Sequence, residues 1–67
     1  MIVLYTQKNC PQCEGVKKLL KEKKIEYEEC TDIQKMIKLG ISFTPVLEVD
    51  NQLLKGKDIY SYINGVI

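Results

Sequence analysis

Cys10 and Cys13 stand three residues apart in the stretch YTQKNCPQCEG, residues 5 to 15 of a 67-residue chain that carries a third cysteine, Cys30, and no histidine. Two sulfur atoms at this spacing serve one of several chemistries: half of a metal site, a structural cross-link, or a reactive dithiol. A structural zinc site takes four cysteine or histidine ligands. Three cysteines without histidine fall short of that unless a carboxylate or a second protomer completes the set. A cysteine–histidine hydrolase is excluded, because no residue can act as its base. A cross-link over two intervening residues closes too small a loop to stabilise a fold much. A reactive dithiol and a pair of inert buried thiols remain, and the elements around the cysteines separate them.

Ile2-Val3-Leu4-Tyr5 is a short, continuously apolar run, the pattern of a strand buried on both faces. From Pro11 the pattern is helical, and proline suits the first helical position because its missing N–H costs nothing there. Cys13, Val16, Leu19 and Leu20 fall on one face of this helix. Lys17, Lys18, Lys21 and Lys24 fall largely on the other, with the late lysines at the negative end of the helix dipole. Ile25 to Glu28 alternates as a half-exposed strand does. TDIQKMIKLG reads as a second helix, with Thr31 and Gln34 at capping-box spacing, Ile33, Met36 and Ile37 as its apolar face, and Gly40 as its stop. PVLEV and QLL read as strands joined by a two-residue turn at Asp50-Asn51. After Gly56, Asp58 is expected to cap a last helix that turns Ile59, Tyr62 and Ile63 inward. The order is β-α-β-α-β-β-α in a single domain, residues 1–67, with a mixed sheet.

This map places Cys10 at or next to the N-cap of the first helix. A thiolate there faces unpaired backbone N–H groups, with Gln12 and Cys13 as candidate donors, and the positive end of the dipole. Thiols of Cys-x-x-Cys motifs at such positions titrate at about 3.5–7.5, against about 8.5 for a free thiol. Lys8 adds a nearby cation. Cys13 lies one turn into the helix on its inward face. An exposed attacking thiol and a sheltered resolving thiol are what disulfide exchange requires. The strand-to-helix junction and Pro11 argue against inert thiols.

Ten basic and nine acidic residues give a net charge of +1, without the basic excess of an electrostatically driven nucleic-acid binder. No run approaches the roughly 18 apolar residues of a membrane span. The opening MIVLY lacks the basic region and cleavage site of a signal peptide. With an odd number of cysteines, an intracellular, cytoplasmic chain is expected rather than a secreted disulfide scaffold. Cys30 reads as a semi-buried small apolar residue near the same sheet edge, or else as a regulatory thiol. The lysine-rich helix face reads as solvated surface, or else as a meeting place for an acidic protein. Tyr60 and Tyr62 read as packing residues.

The chain resembles the glutaredoxins. YTQKNCPQC is very close to that family's active-site stretch of tyrosine-threonine, a basic residue and C-P-Y-C. FTPV resembles its T-V-P, whose proline is cis, and KGKD resembles its G-G-x-D. The resemblance covers essentially the whole chain in order and spacing. It implies an α/β thioredoxin fold, a four-stranded mixed sheet flanked by three helices. It also implies dithiol chemistry without a bound cofactor, with Cys10 as nucleophile, Cys13 as resolver and glutathione as co-substrate. The partners it implies are disulfide-containing proteins and glutathione; a monomer is expected, with no nucleic acid, membrane or metal bound. Substrate-binding positions carried over from the family are Lys8, Pro11, Gln12, Thr44, Pro45, Gly56 and Asp58. A cis bond before Pro45 would leave the N–H and C=O of Thr44 free to pair with an extended substrate backbone.

Departures from the family pattern bear on the substrate. Gln12 replaces the usual tyrosine, and C-x-Q-C also occurs in glutaredoxin-like proteins that reduce ribonucleotide reductase and draw electrons from thioredoxin reductase. The family's basic residue before the first cysteine is Gln7 here, with Lys8 one place later. Phe43 stands at the threonine of T-V-P and Lys55 at the first glycine of G-G. Two alternatives therefore accompany the glutaredoxin reading. One is a thioredoxin-reductase-fed electron donor to ribonucleotide reductase. The other is a [2Fe–2S] module held between two protomers by Cys10 and external thiols.

Overall fold

Strand β1, Ile2–Tyr5, runs through the middle of the sheet in the computed structural model, which describes residues 2–65. It pairs in parallel with β2, Glu28–Cys30, and antiparallel with β3, Val46–Val49. β4, Gln52–Lys55, pairs antiparallel with β3 and completes the order β2-β1-β3-β4. The expected mixed four-stranded sheet is therefore present. Two-residue alternation sends Leu4 and its partner Leu47 to one face, and Tyr5 and its partner Val46 to the other.

Helices α1, Pro11–Glu22, and α3, Lys57–Gly65, cover the first face. Their Val16, Leu20, Ile59 and Ile63 close a fully buried cluster over Leu4 and Leu47. Helix α2, Ile33–Lys38, covers the second face with a single buried residue, Met36, which joins Ile41, Tyr5 and Val46. Three helices on a four-stranded mixed sheet in this order form the thioredoxin fold.

Four expectations need correction. The strand expected over Ile25–Glu28 begins only at Glu28. The reason lies in the end of α1: Lys24 N–H donates to Lys21 O at 3.0 Å and Ile25 N–H donates to Leu20 O at 3.0 Å. These are the two closing bonds of a Schellman motif, with Lys24 at φ 57 in the left-handed position glycine usually takes. The backbone up to Ile25 is thus committed to the helix end. The alternation of Ile25 and Tyr27 still pays off as packing against the main cluster.

In α2 the N-cap is Asp32, not Thr31: Asp32 Oδ1 accepts from Gln34 N–H at 3.0 Å and Lys35 N–H at 3.2 Å. A carboxylate one residue nearer the helix takes the orphan donors first. Ile33 and Ile37 do not pack inward, standing 56% and 68% exposed. Six residues make under two turns, so only Met36 reaches the sheet. The stop at Gly40, φ 78, is as expected. In α3, Asp58 sits inside the first turn, one residue past Lys57, and favours the dipole there without being the cap.

The turn between β3 and β4 holds Asp50 at φ 48 and Asn51 at φ 69, the two left-handed residues of a type I′ hairpin. Among the described residues, no helix is long and apolar enough to cross a membrane.

Candidate active site

Register brings the site together. Tyr5, the last residue of β1, pairs with Cys30 on one side and Val46 on the other. The residues following Tyr5 and those preceding Val46 therefore emerge at one edge of the sheet. Beyond Tyr5, Thr6 N–H donates to Cys30 O at 3.0 Å, which continues the parallel pairing one step. Asn9 then reverses the chain at φ 57, a conformation its short amide side chain tolerates. Cys10 follows in extended geometry, φ −117 and ψ 94, as the N-cap of α1, and Pro11 takes the first helical position.

Two donors meet the Cys10 sulfur. Cys13 N–H, one of the two candidates, donates to Cys10 Sγ at 3.1 Å. From the far side of the edge, Thr44 Oγ1–H donates to the same sulfur at 3.6 Å. Cys10 and Cys13 are joined as a disulfide with their Cα atoms 5.2 Å apart, so this is the oxidised state of the pair. Cys10 is half-buried, whereas Cys13 is fully enclosed at 0% exposure. An approaching sulfur thus reaches Cys10 first. The Thr44–Pro45 peptide bond is cis, as the resemblance implied.

A cleft of about 350 Å³ opens beside this disulfide. It is lined by Gln12, Phe43, Thr44, Pro45, Gly56, Lys57 and Tyr60. Of the substrate-binding positions carried over from the family, Gln12, Thr44, Pro45 and Gly56 come together here. Pro11 is exposed at the helix start, between the cysteine cap and Gln12. Lys8 lies apart, in a depression lined by Gln7, Thr31 and Ile33. Asp58 is exposed and does not line the cleft.

The sequence reading missed four contributions. The sequence points to the backbone of Thr44, yet its hydroxyl touches the Cys10 sulfur. Phe43, Lys57 and Tyr60 form cleft wall. Tyr60, expected to pack, is 40% exposed and faces the cleft, while Tyr62 packs against the main cluster as expected. Helical spacing carried the available signal, because Tyr60 follows buried Ile59 directly and so turns away from the face that Ile59 and Ile63 share.

Below the site, Tyr5 is buried and its hydroxyl donates to Glu48 Oε1 on β3. Burial and the Glu48 carboxylate push its pKa up to about 12. On the helix side, Lys17 Nζ meets Glu29 at 2.8 Å and Glu14 at 3.0 Å, and these partners raise its pKa further above the ordinary lysine value. Lys17 is therefore not a free member of the lysine face, but a tie from α1 to β2.

A thioredoxin fold with a paired cysteine disulfide at the first helix N-cap and a cis proline beside it defines a thiol–disulfide oxidoreductase. Residues 2–54 match the glutaredoxin family model, and the chain belongs to the glutaredoxin family. It is 32% identical over 62 residues to the glutaredoxin-like protein NrdH of Lactococcus lactis subsp. lactis (strain IL1403), a match that covers 84% of this chain and 86% of that protein. The glutaredoxin-like protein NrdH of Lactococcus lactis subsp. cremoris (strain MG1363) matches at the same identity and coverage. Among solved structures, thioredoxin-like protein BC3987 superposes with a TM-score of 0.77 at 29% identity, covering 96% of this chain and 97% of its own. A single-residue mutant of BC3987 gives 0.76 at 28% identity, with 96% of each chain covered.

Proposed function

We propose that the protein is a cytoplasmic dithiol reductant of protein disulfides, in which Cys10 attacks and Cys13 resolves. Glutathione mixed disulfides are a second substrate class of the same chemistry. The observation that carries this reading is the asymmetry of the pair: Cys10 holds the N-cap, half-open to solvent, with a backbone N–H at 3.1 Å from its sulfur, and Cys13 is closed off behind it.

In the reduced protein the Cys10 thiolate takes its stabilisation from the Cys13 N–H, the helix N-terminus and the Thr44 hydroxyl. It attacks one sulfur of the target disulfide, forms a bond to it, and expels the other target sulfur as a thiolate. Cys13 then gives up its proton and attacks Cys10 Sγ. That breaks the mixed disulfide, releases the first target sulfur as a thiol, and leaves the Cys10–Cys13 bond. Two electrons have passed from the pair to the target. Gln12, Thr44, Pro45 and Gly56 contact the target, with the Thr44 backbone as the pairing edge. Lys8 and Asp58, away from the cleft, have the smaller roles.

The assignment predicts opposite outcomes for two substitutions. Cys10→Ser abolishes disulfide reduction. Cys13→Ser permits attack and traps a covalent complex with the target, seen as a mass adduct under non-reducing conditions. Preferential alkylation of Cys13 over Cys10 at about pH 6 overturns it.

A second reading, an electron donor to ribonucleotide reductase recharged by thioredoxin reductase, draws support from Gln12 and from the glutaredoxin-like relatives. Turnover measured with glutathione and its reductase, against turnover with NADPH and thioredoxin reductase, separates the two. Saturable reduction by thioredoxin reductase with weak glutathione turnover favours the second.

A further inference from the structure

Two departures from the family pattern, Phe43 and Lys55, meet in space: Lys55 Nζ lies over the Phe43 ring, 5.7 Å from its centroid. Phe43 lines the cleft beside the disulfide and is 49% exposed, and Tyr60, at 40%, lines the same cleft. Thr44, which donates to Cys10 Sγ, is the next residue after Phe43 and lines the cleft too. Two half-open aromatic side chains thus share one cleft with the threonine that touches the Cys10 sulfur. Isolated exposed hydrophobics need no explanation, but two that share a concave surface next to a reactive group suit a ligand. Lys57 lines the same cleft, and Lys55 holds its ammonium over one wall. Lys55 and Lys57 bracket Gly56, whose φ of 53 turns the chain there.

We propose that this cleft is a side-chain subsite for peptide disulfides. It takes a large apolar residue adjacent to the substrate cysteine between Phe43 and Tyr60, while Lys55 and Lys57 receive a flanking carboxylate. The inference rests on the role of Cys10 as the attacking thiol. A cation over a ring face is attracted to it, so Lys55 keeps its ammonium beside the Phe43 wall. Glutathione has only glycine and a γ-linked glutamate beside its cysteine, so it offers carboxylates but nothing to fill the apolar part. The subsite therefore favours protein disulfides over glutathione.

The test uses pre-reduced protein in single turnover, so that both electrons come from the Cys10 and Cys13 thiols and no recycling enzyme enters. The substrates are symmetric disulfides of blocked tripeptides with cysteine in the middle: leucine-cysteine-glutamate, glycine-cysteine-glutamate and leucine-cysteine-lysine. The second-order rate constant for the leucine peptide is expected to exceed that for the glycine peptide by about tenfold, the low end for a filled apolar pocket because this one is open. Phe43→Ser and Tyr60→Ser each pull that ratio toward one. Lys55→Met, which keeps the length and removes the charge, lowers the glutamate-over-lysine ratio while the leucine preference persists. Equal wild-type rates for leucine and glycine peptides overturn the subsite, as does a leucine preference that survives both aromatic substitutions. If wild-type protein reduces bis(2-hydroxyethyl) disulfide but none of the peptides, the subsite fails and the dithiol chemistry stands. Failure on every substrate overturns both.

Discussion

At the Cys10 sulfur, one donor is local and the other is not. The Cys13 N–H follows from the helix itself, since a residue at the N-cap meets the N–H three places on. Cys-Pro-x-Cys after an apolar run was therefore enough to place both sulfurs, the cap and the proline at its start. The Thr44 hydroxyl comes from 34 residues away, and no local pattern announces it. Only the strand register, Tyr5 against Val46, brings it to the sulfur. The same limit explains Lys8, whose closeness in sequence suggests a role at the site, yet which lines a separate depression with Gln7, Thr31 and Ile33. Thr44→Val keeps the shape and removes the donor. Hydrogen bonds to charged groups contribute about 1.5–3 kcal/mol at good geometry, and this one to sulfur is long at 3.6 Å. Alkylation of reduced Cys10 at about pH 6 is expected to slow by about threefold to tenfold. An unchanged rate means the hydroxyl does not stabilise the thiolate.

Helices and strands were readable where their apolar period was long, and misread where a neighbouring cap competed. α1 has twelve residues and three buried positions, so its period stands out. α2 has six, and its isoleucines mimic an apolar face although they have no sheet to reach. Position alone does not tell Thr31 from Asp32 as a cap, since either side chain accepts from an orphan N–H. Asp32→Ala is expected to cost about 1 kcal/mol and Thr31→Ala close to nothing, compared by urea midpoints. Equal losses would return the cap to Thr31. The end of α1 makes an independent case. Lys24 holds a left-handed conformation that costs a residue with a Cβ about 1 kcal/mol, and glycine adopts it freely. Lys24→Gly is expected to raise stability by about 0.5–1 kcal/mol, and a lower midpoint counts against the Schellman end.

Across the whole molecule the two faces of the sheet are unequal. Among the described residues, the α1 and α3 side buries six in one apolar cluster, whereas the α2 side buries four, one of them Tyr5. The continuous apolar run of β1 showed that both faces are covered, but not that one cover is thin. The thin side also carries the polar bond from Tyr5 to Glu48, and this gives it a group sensitive to alkali. Tyr5 titrates at about 12 in the folded protein, against 10 for an ordinary tyrosine, because burial and the Glu48 carboxylate both oppose the phenolate. The folded state thus holds the proton more tightly than the unfolded one. Its contribution is fully present below pH 10 and is lost as pH rises through 12. A shift of that size corresponds to on the order of 2–3 kcal/mol. Tyr5→Phe removes the hydrogen bond, so it is expected to be less stable than wild type by about 0.5–1.5 kcal/mol near neutral pH. It also lacks this titration. Tyr27, whose pKa burial raises too, is common to both proteins, so the difference between them isolates Tyr5. Urea midpoints measured at rising pH are expected to converge as pH approaches 10 and to cross before 12, with wild type the less stable of the two beyond the crossing. Two curves that stay parallel over that range would show that Tyr5 ionises in the folded state as easily as in the unfolded one.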